Sequence, residues 1–207
     1  MAVYHLKTPL AEQDVRQLKI GDTVYLSGRV FTGRSRIHRY IFDEGNSLPF
    51  SVESANAMIH VGPIVTRRGG KWNLVSFMPT SSLRFEKWGA ASVEAWKLRM
   101  IVGKTTMGKK TMEMMRSFGC VHVSPQSVSP NLWLNSIEIL GVELFEELGS
   151  IEASWQLKLD ELGPFIVDID AMGNNLFETM DESIGKARDA ALEKMGLPED
   201  FSPTRLY

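Results

Sequence analysis

Cysteine is almost absent: Cys120 is the single one in 207 residues. An internal disulfide is therefore excluded, and the chain by itself lacks the several thiolates that hold a zinc or iron–sulfur centre. Flanked by Phe118 and Val121, Cys120 reads as a small buried hydrophobe rather than a catalytic thiol. Long apolar runs are missing too. No stretch approaches the length that spans a bilayer. Met1 to Leu10 carries His5, Lys7 and Pro9 where a secretory leader would be apolar, so the chain reads as cytoplasmic. Nor does one sign of charge dominate. With 23 basic and 25 acidic residues the net charge is −2, which creates no global field for nucleic acid or an anionic membrane. Anion binding, if present, is local. Internal repeats and low-complexity segments are also lacking.

An apolar content of 43% over this length is ample for a hydrophobic core. It predicts one domain over residues 1–195 and a tail, Gly196–Tyr207, carrying Pro198 and Pro203. Helical spacing marks Leu10–Leu18, Arg36–Phe42, Leu83–Leu98, Lys109–Phe118, Ser127–Leu134 and Asp181–Met195. Short β-type runs mark Thr23–Leu26, Ala57–Val61, Trp72–Phe77, Arg99–Val102, Cys120–Val123, Glu138–Phe145, Ser154–Leu159 and Pro164–Ile169. The alternation predicts an α/β fold with a mixed sheet.

Three cationic residues stand beside turn-forming and hydroxyl residues after predicted strands: Thr32-Gly33-Arg34, Pro79-Thr80-Ser81-Ser82-Leu83-Arg84 and Val102-Gly103-Lys104. Each is placed to project into a cleft at a sheet edge. Pro79-Thr80-Ser81 also reads as a helix entry with hydroxyl caps and free N–H groups that favour a carboxylate. Composition leaves two alternatives open, surface arginines beside a helix cap or an anion site. Gly103-Lys104-Thr105-Thr106 is not a nucleotide-binding loop, since the glycine required five positions before the Gly-Lys pair is Leu98. No His, Cys or Glu spacing suits a metal.

The order of motifs carries further information. Gly21-Asp22-Thr23-Val24-Tyr25-Leu26-Ser27-Gly28 is followed by Phe31-Thr32-Gly33-Arg34 with His38, then by Val61-Gly62-Pro63 and the Pro79–Arg84 segment. Met100-Ile101-Val102-Gly103-Lys104 and Gly163-Pro164-Phe165-Ile166-Val167-Asp168-Ile169-Asp170 complete the series. Over almost the whole chain this is similar to the C-terminal domain of class I, iron–sulfur fumarases, which in many prokaryotes is a separate β subunit, as in L-tartrate dehydratase.

The resemblance implies a swivelling β/β/α domain, its mixed sheet flanked by helices, closing over a [4Fe–4S] cluster held by three cysteines of a partner α subunit. A hetero-oligomer of α2β2 type is expected, with no metal bound by this chain. It implies that Arg34, Arg84 and Lys104 bind the carboxylates of a small dicarboxylate, that Thr80 is the catalytic base and that Ser81 supplies a second hydroxyl. His38 matches a histidine near the family's active site, or is a packed structural histidine; His60 stands where a tyrosine is common and reads as structural. Departures surround these positions. Ser35 replaces an acidic residue usual after the first arginine, Thr105-Thr106-Met107 replaces the usual glycine-rich continuation after the lysine, and Ser124–Pro130 replaces a Gly-Gly turn.

The expected activity is that of a hydro-lyase β subunit. Fumarate hydratase ranks first, because Thr80 and Ser81 preserve paired hydroxyls, with tartrate dehydratase or a divergent hydroxydicarboxylate dehydratase as alternatives. A reading of a different class is a non-catalytic dicarboxylate-binding or docking module, against which the Arg34, Arg84 and Lys104 set argues.

Overall fold

The computed structural model describes residues 1–126, 129–197 and 201. Among them the chain builds β1 (Val3–Lys7), α1 (Glu12–Arg16), β2 (Thr23–Thr32), α2 (Ser35–Phe42) and β3 (Ala57–Ile59). A hairpin of β4 (Ile64–Arg68) and β5 (Lys71–Ser76) follows, then a 3-10 turn at Ser82–Phe85 that runs into α3 (Glu86–Ala95). The second half holds β6 (Met100–Val102), α4 (Lys109–Phe118), β7 (Val121–Pro125), β8 (Ile137–Glu143), α5 (Phe145–Leu148), β9 (Ser154–Ile169) and α6 (Leu176–Lys194).

The seven-stranded main sheet is mixed. β2, β3, β6 and β7 run parallel in that order, and β9 runs antiparallel to them. β9 pairs with β7 through Phe165–Ile169 and with β2 through Gln156–Ile166, so Ile166 lies between Thr23 and Ser124 and the sheet closes into a five-stranded ring. β1 and β8 extend it as outer strands. Closure removes the exposed edges of the ring strands, which is how such short strands remain ordered.

The side-chain pattern explains the two layers. β3 and β6 are buried on both faces and read as continuous apolar runs. Alternate residues, Ala57, Ile59, Met100 and Val102, enter the core inside the ring with Trp155, Leu157 and Phe165. Met58, Ile101 and Phe31 point the other way, against Val93, Trp96 and Met115 of the helical layer. Burying each large side chain completely contributes about 1.5–3 kcal/mol.

Helices α3 and α4 are tied by one carboxylate. Glu86 accepts the N–H groups of Gly108 (2.7 Å) and Thr111 (3.3 Å) and the Thr111 hydroxyl (2.7 Å), so it caps α4 and meets its positive end. α4 ends at Gly119, whose φ of +74 suits glycine and whose N–H returns to the Met115 carbonyl.

The mixed α/β architecture agrees with the expectation, but several boundaries do not. β1 and β4 were not predicted, because His5, Lys7 and Arg67-Arg68 dilute their apolar pattern. The two strands expected at Ser154–Leu159 and Pro164–Ile169 are one strand, which continues past Gly163-Pro164 because β2 pairs on both sides of that junction, from Gln156 to Ile166. The strand expected to reach Phe145 stops at Glu143, where Leu144 adopts a positive φ and α5 begins. Of the helix expected at Ser127–Leu134, Ser127 and Val128 lie outside the described residues. The remainder is a turn leading to a 3-10 turn at Leu134–Ser136. Apart from Gly196, Leu197 and Phe201, the expected tail also lies outside the description. No helix among the described residues is long and apolar enough to cross a membrane.

Candidate active site

The parallel register dictates where the site forms. Thr32, Ile59, Val102 and Val123 are partners across β2, β3, β6 and β7. The residues that follow them, Gly33-Arg34, His60, Gly103-Lys104 and Ser124, therefore share one rim at the carboxyl ends of the strands. That is where open α/β sheets place ligands.

The Thr80–Arg84 segment is stitched into this rim by backbone hydrogen bonds. Thr80 donates to the His60 carbonyl (2.6 Å), Lys104 donates to the Thr80 carbonyl (3.0 Å) and Ser82 donates to the Lys104 carbonyl (2.8 Å), so Ser81 bridges Lys104 in strand-like fashion. This corrects the expected helix entry with free N–H groups. The N–H groups of Thr80 and Ser82 are spent on the rim, Ser81 makes no side-chain cap, and only a 3-10 turn starts there. A carboxylate arriving here meets side chains rather than a bare helix end.

Those side chains are uncommitted. Among the described residues, the Arg84 guanidinium, the Lys104 ammonium and the Thr80 hydroxyl make no hydrogen bond or ion pair, and Arg84 is exposed. The Ser81 hydroxyl contacts the Thr105 hydroxyl at 2.9 Å. Thr105 adopts a φ of +67, so the chain turns sharply after Lys104.

Arg34 differs from the other two cations. It precedes α2 as its cap residue, is mostly buried, and has Glu152 Oε1 3.4 Å from its Nε. The ion pair is longer than a good hydrogen bond, and Nε has no hydrogen-bond partner. Glu152 also accepts the Arg36 N–H (2.9 Å) and the Ser35 hydroxyl (3.4 Å). Glu152 thus places a carboxylate, from the connection before β9, beside Ser35 at the positive end of α2. Gly62 lets Arg34 approach: a Cβ there would fall 2.6 Å from a guanidinium nitrogen.

His38 stands one layer below. Its Nδ1–H donates to the Arg34 carbonyl (2.6 Å), and its ring stacks on Phe85 at 5.5 Å and on Trp88 at 5.8 Å. Burial lowers its pKa to about 4 against the smaller opposing effect of that hydrogen bond, so the ring is neutral near pH 7 and supports Arg34 from behind. His60 is likewise held well below the ordinary range by burial first and by His38 and His122 second. Sequence reasoning did not single out Glu152, Ser82, His122 or Asp168 as site residues. For His122 and Asp168 the only signal is polar character inside segments that otherwise read as core; Ser82 sits among other hydroxyl residues, and nothing local marks Glu152.

The rim is open. A cleft of about 710 Å³ lined by Leu10, Phe50, Asn56, Trp96 and Arg99, and another of about 800 Å³ lined by Trp72, Leu134 and Ile139, contain none of Arg34, Thr80, Arg84 or Lys104. Among the described residues no group of His, Cys, Asp and Glu is arranged to hold a metal. Cys120 is buried and its thiol pKa is pushed up by that burial.

Comparison with known proteins follows the same outline. The chain is 33% identical over 190 residues to the L(+)-tartrate dehydratase subunit beta of Escherichia coli (strain K12), which covers 92% of this chain and 94% of that one. It is 31% identical over 179 residues to the putative L(+)-tartrate dehydratase subunit beta of Methanocaldococcus jannaschii, covering 84% and 91%. A putative fumarate hydratase class I of Geobacillus stearothermophilus is 30% identical over 183 residues, covering 87% of this chain and 35% of that protein. The fumarase C-terminus model matches residues 2–180, and the chain belongs to that family.

Proposed function

We propose that this chain is the β-type subunit of a two-subunit hydro-lyase acting on a small 2-hydroxydicarboxylate, with the rim as half of a site completed by a partner. The observation that carries the reading is an uncommitted guanidinium, ammonium and hydroxyl, Arg84, Lys104 and Thr80, set on one open rim. Its names come from relatives that are tartrate dehydratase β subunits and a putative class I fumarase.

Dehydration removes a carbon-bound proton beside one carboxylate and expels a hydroxyl from the adjacent carbon. Negative charge grows on the carboxylate beside the deprotonated carbon, where the fixed fork of Arg84 stabilises it. Lys104 holds the second carboxylate as a point charge. Arg34, already paired with Glu152, adds positive potential and orientation. Thr80 takes the carbon-bound proton as its own hydroxyl proton passes to a partner-subunit carboxylate, the base this reading requires because the hydroxyl has no partner among the described residues. The Ser81–Thr105 hydroxyl pair orients the substrate's remaining oxygen.

The residues of this chain do not fit an iron–sulfur cluster, since the one cysteine is buried and no metal-holding group is present among the described residues. A [4Fe–4S] cluster belongs in this proposal to the partner α subunit, in an α2β2 assembly, as the Lewis acid for the departing hydroxyl. Two substrates are carried. The Thr80–Ser81 hydroxyl pair favours malate and fumarate, and the nearly full-length match to separate tartrate dehydratase β subunits favours tartrate.

Anaerobic co-production with the partner, followed by assays on malate, fumarate and both tartrates, decides between them. Turnover of one is expected. Dicarboxylate binding without turnover by the assembled, cluster-loaded complex would reject the hydro-lyase in favour of a binding module.

A further inference from the structure

Behind the rim runs a chain of buried side chains that the proposed chemistry leaves unused. Ser82 is fully buried, with its Oγ 2.8 Å from His60 Nδ1 and 2.7 Å from His122 Nε2. His122 Nδ1 lies 2.5 Å from Asp168 Oδ1, and Ser124 donates its hydroxyl to Asp168 Oδ2. His60, His122 and Asp168 are 1% exposed or less, so water does not compete for these bonds. Space for the Ser82 hydroxyl exists because residue 103 is glycine; a Cβ there would lie 1.7 Å from the Oγ.

With Asp168 ionised and His122 neutral, the donor and acceptor inventory gives every bond one direction. The Asp168 carboxylate only accepts, so it takes the Ser124 hydroxyl and the His122 Nδ1–H. His122 Nε2 is then a lone pair, filled by the one proton of Ser82. The Ser82 oxygen accepts in turn from His60 Nδ1–H, which leaves His60 Nε2 bare. That nitrogen is buried and without a partner, with the rings of Phe85 and His38 at 4.5 and 5.8 Å from its own. The chain ends on this unpartnered Nε2 in an aromatic pocket, and with bonds in this direction it is a lone pair.

We propose that Ser82, His60, His122 and Asp168 are positioning residues for the reaction, a chain of fixed tautomers that holds the Thr80–Arg84 segment so that the Thr80 hydroxyl meets the substrate. The inference rests on the hydro-lyase reading above. Its warrant is location. Ser82 is the one residue of the segment anchored both by its backbone, to Lys104, and by its side chain, to strands β7 and β9 through His122 and Asp168. An apolar residue fills the same space without fixing orientation, whereas a polar chain in a dry interior, hydrogen-bonded at every polar atom but the terminal His60 Nε2, specifies one arrangement.

The kinetic consequence is asymmetric. Arg84 and Lys104 reach their carboxylates on long flexible stems and tolerate a small displacement of the backbone. Thr80 carries its hydroxyl on a single rotatable bond and does not. Releasing Ser82 therefore lowers kcat and leaves KM nearly alone.

In the assembled, cluster-loaded enzyme, Ser82→Ala is expected to lower kcat by about tenfold to a hundredfold with KM changed by less than about threefold. If that variant does not assemble, Ser82→Cys, which keeps the volume and weakens the hydrogen bonds, is expected to show the same split with a loss of about threefold to tenfold. Nitrogen-15 spectra of the histidine-labelled full chain are expected to show His60 and His122 both protonated at Nδ1. The opposite tautomer at either ring overturns the chain of bonds. Wild-type turnover with a lowered melting temperature but unchanged kcat in the Ser82 variant overturns the positioning role alone. A wild-type enzyme that turns over none of the four dicarboxylates removes the hydro-lyase reading, and the positioning role with it.

Discussion

Arg84 stands exposed on the rim with no carboxylate of its own chain among the described residues, so folding gains little from it. Arg84→Lys keeps the charge and loses the planar fork, and is expected to cost about 2–4 kcal/mol of transition-state binding, roughly thirty- to a thousand-fold in kcat/KM. Steady-state kinetics of the assembled enzyme beside a thermal melt check this; a lowered melting temperature with normal kinetics would return Arg84 to a structural role. Cys120 is the opposite case. Buried, with its thiol pKa pushed up, it is expected to resist alkylation in the folded chain and to react at an ordinary rate once denatured, as mass spectrometry would show. Arg34, Arg84 and Lys104 could be picked out in the sequence because each stands near turn and hydroxyl residues after a predicted strand, whereas Thr80 as a base came only from the family resemblance. Glu152 could not be picked out: it meets Ser35 across 117 residues, and no local pattern marks such a meeting.

Loops at strand ends succeed here only where the backbone can approach closely. Gly103 is the clearest instance, since a methyl group at that position would drive into the Ser82 Oγ and crowd His122 Nε2 at 3.0 Å. Gly103→Ala is expected to destabilise the chain by about 1–3 kcal/mol, read as a lower midpoint of denaturant unfolding. A midpoint equal to wild type would mean that the β6 end is looser than this geometry requires. The buried strands β3, β6 and β7 and helices α2 and α4 were readable from apolar runs and helical spacing. β1 and β4 were not, because strands with one exposed face and several charges resemble loops when their neighbours are unknown.

Two properties belong to the whole molecule. Between its ordinary value of 6.5 and about 4, His38 binds a proton in the unfolded chain that the folded chain refuses. Its contribution to stability is therefore complete above pH 6.5 and is lost as pH falls, by about 1.4 kcal/mol per pH unit and roughly 3 kcal/mol by pH 4. His60, shifted the same way, steepens the loss. Unfolding free energies measured from pH 7.5 to 5 are expected to fall accordingly, and His38→Phe to flatten the curve; an unchanged slope would mean that the ring is solvated. The open rim has a second consequence. Loops around Arg34, Thr80 and Lys104 are expected to gain hydrogen-exchange protection when the partner subunit binds, by water exclusion over a shared site. No change at those loops would place the interface elsewhere.

The sequence by itself determined the α/β class, the family resemblance and the cations of the rim, because apolar periodicity, turn residues and motif order are local properties that survive without coordinates. Only the tertiary structure decided that β9 closes the sheet into a ring, that Glu152 pairs with Arg34, and that Ser82, His60, His122 and Asp168 form one buried chain. Hydrogen bonds between buried side chains from distant strands depend on register and closure. Those are set by the packing of the whole sheet, not by any residue's neighbours in sequence.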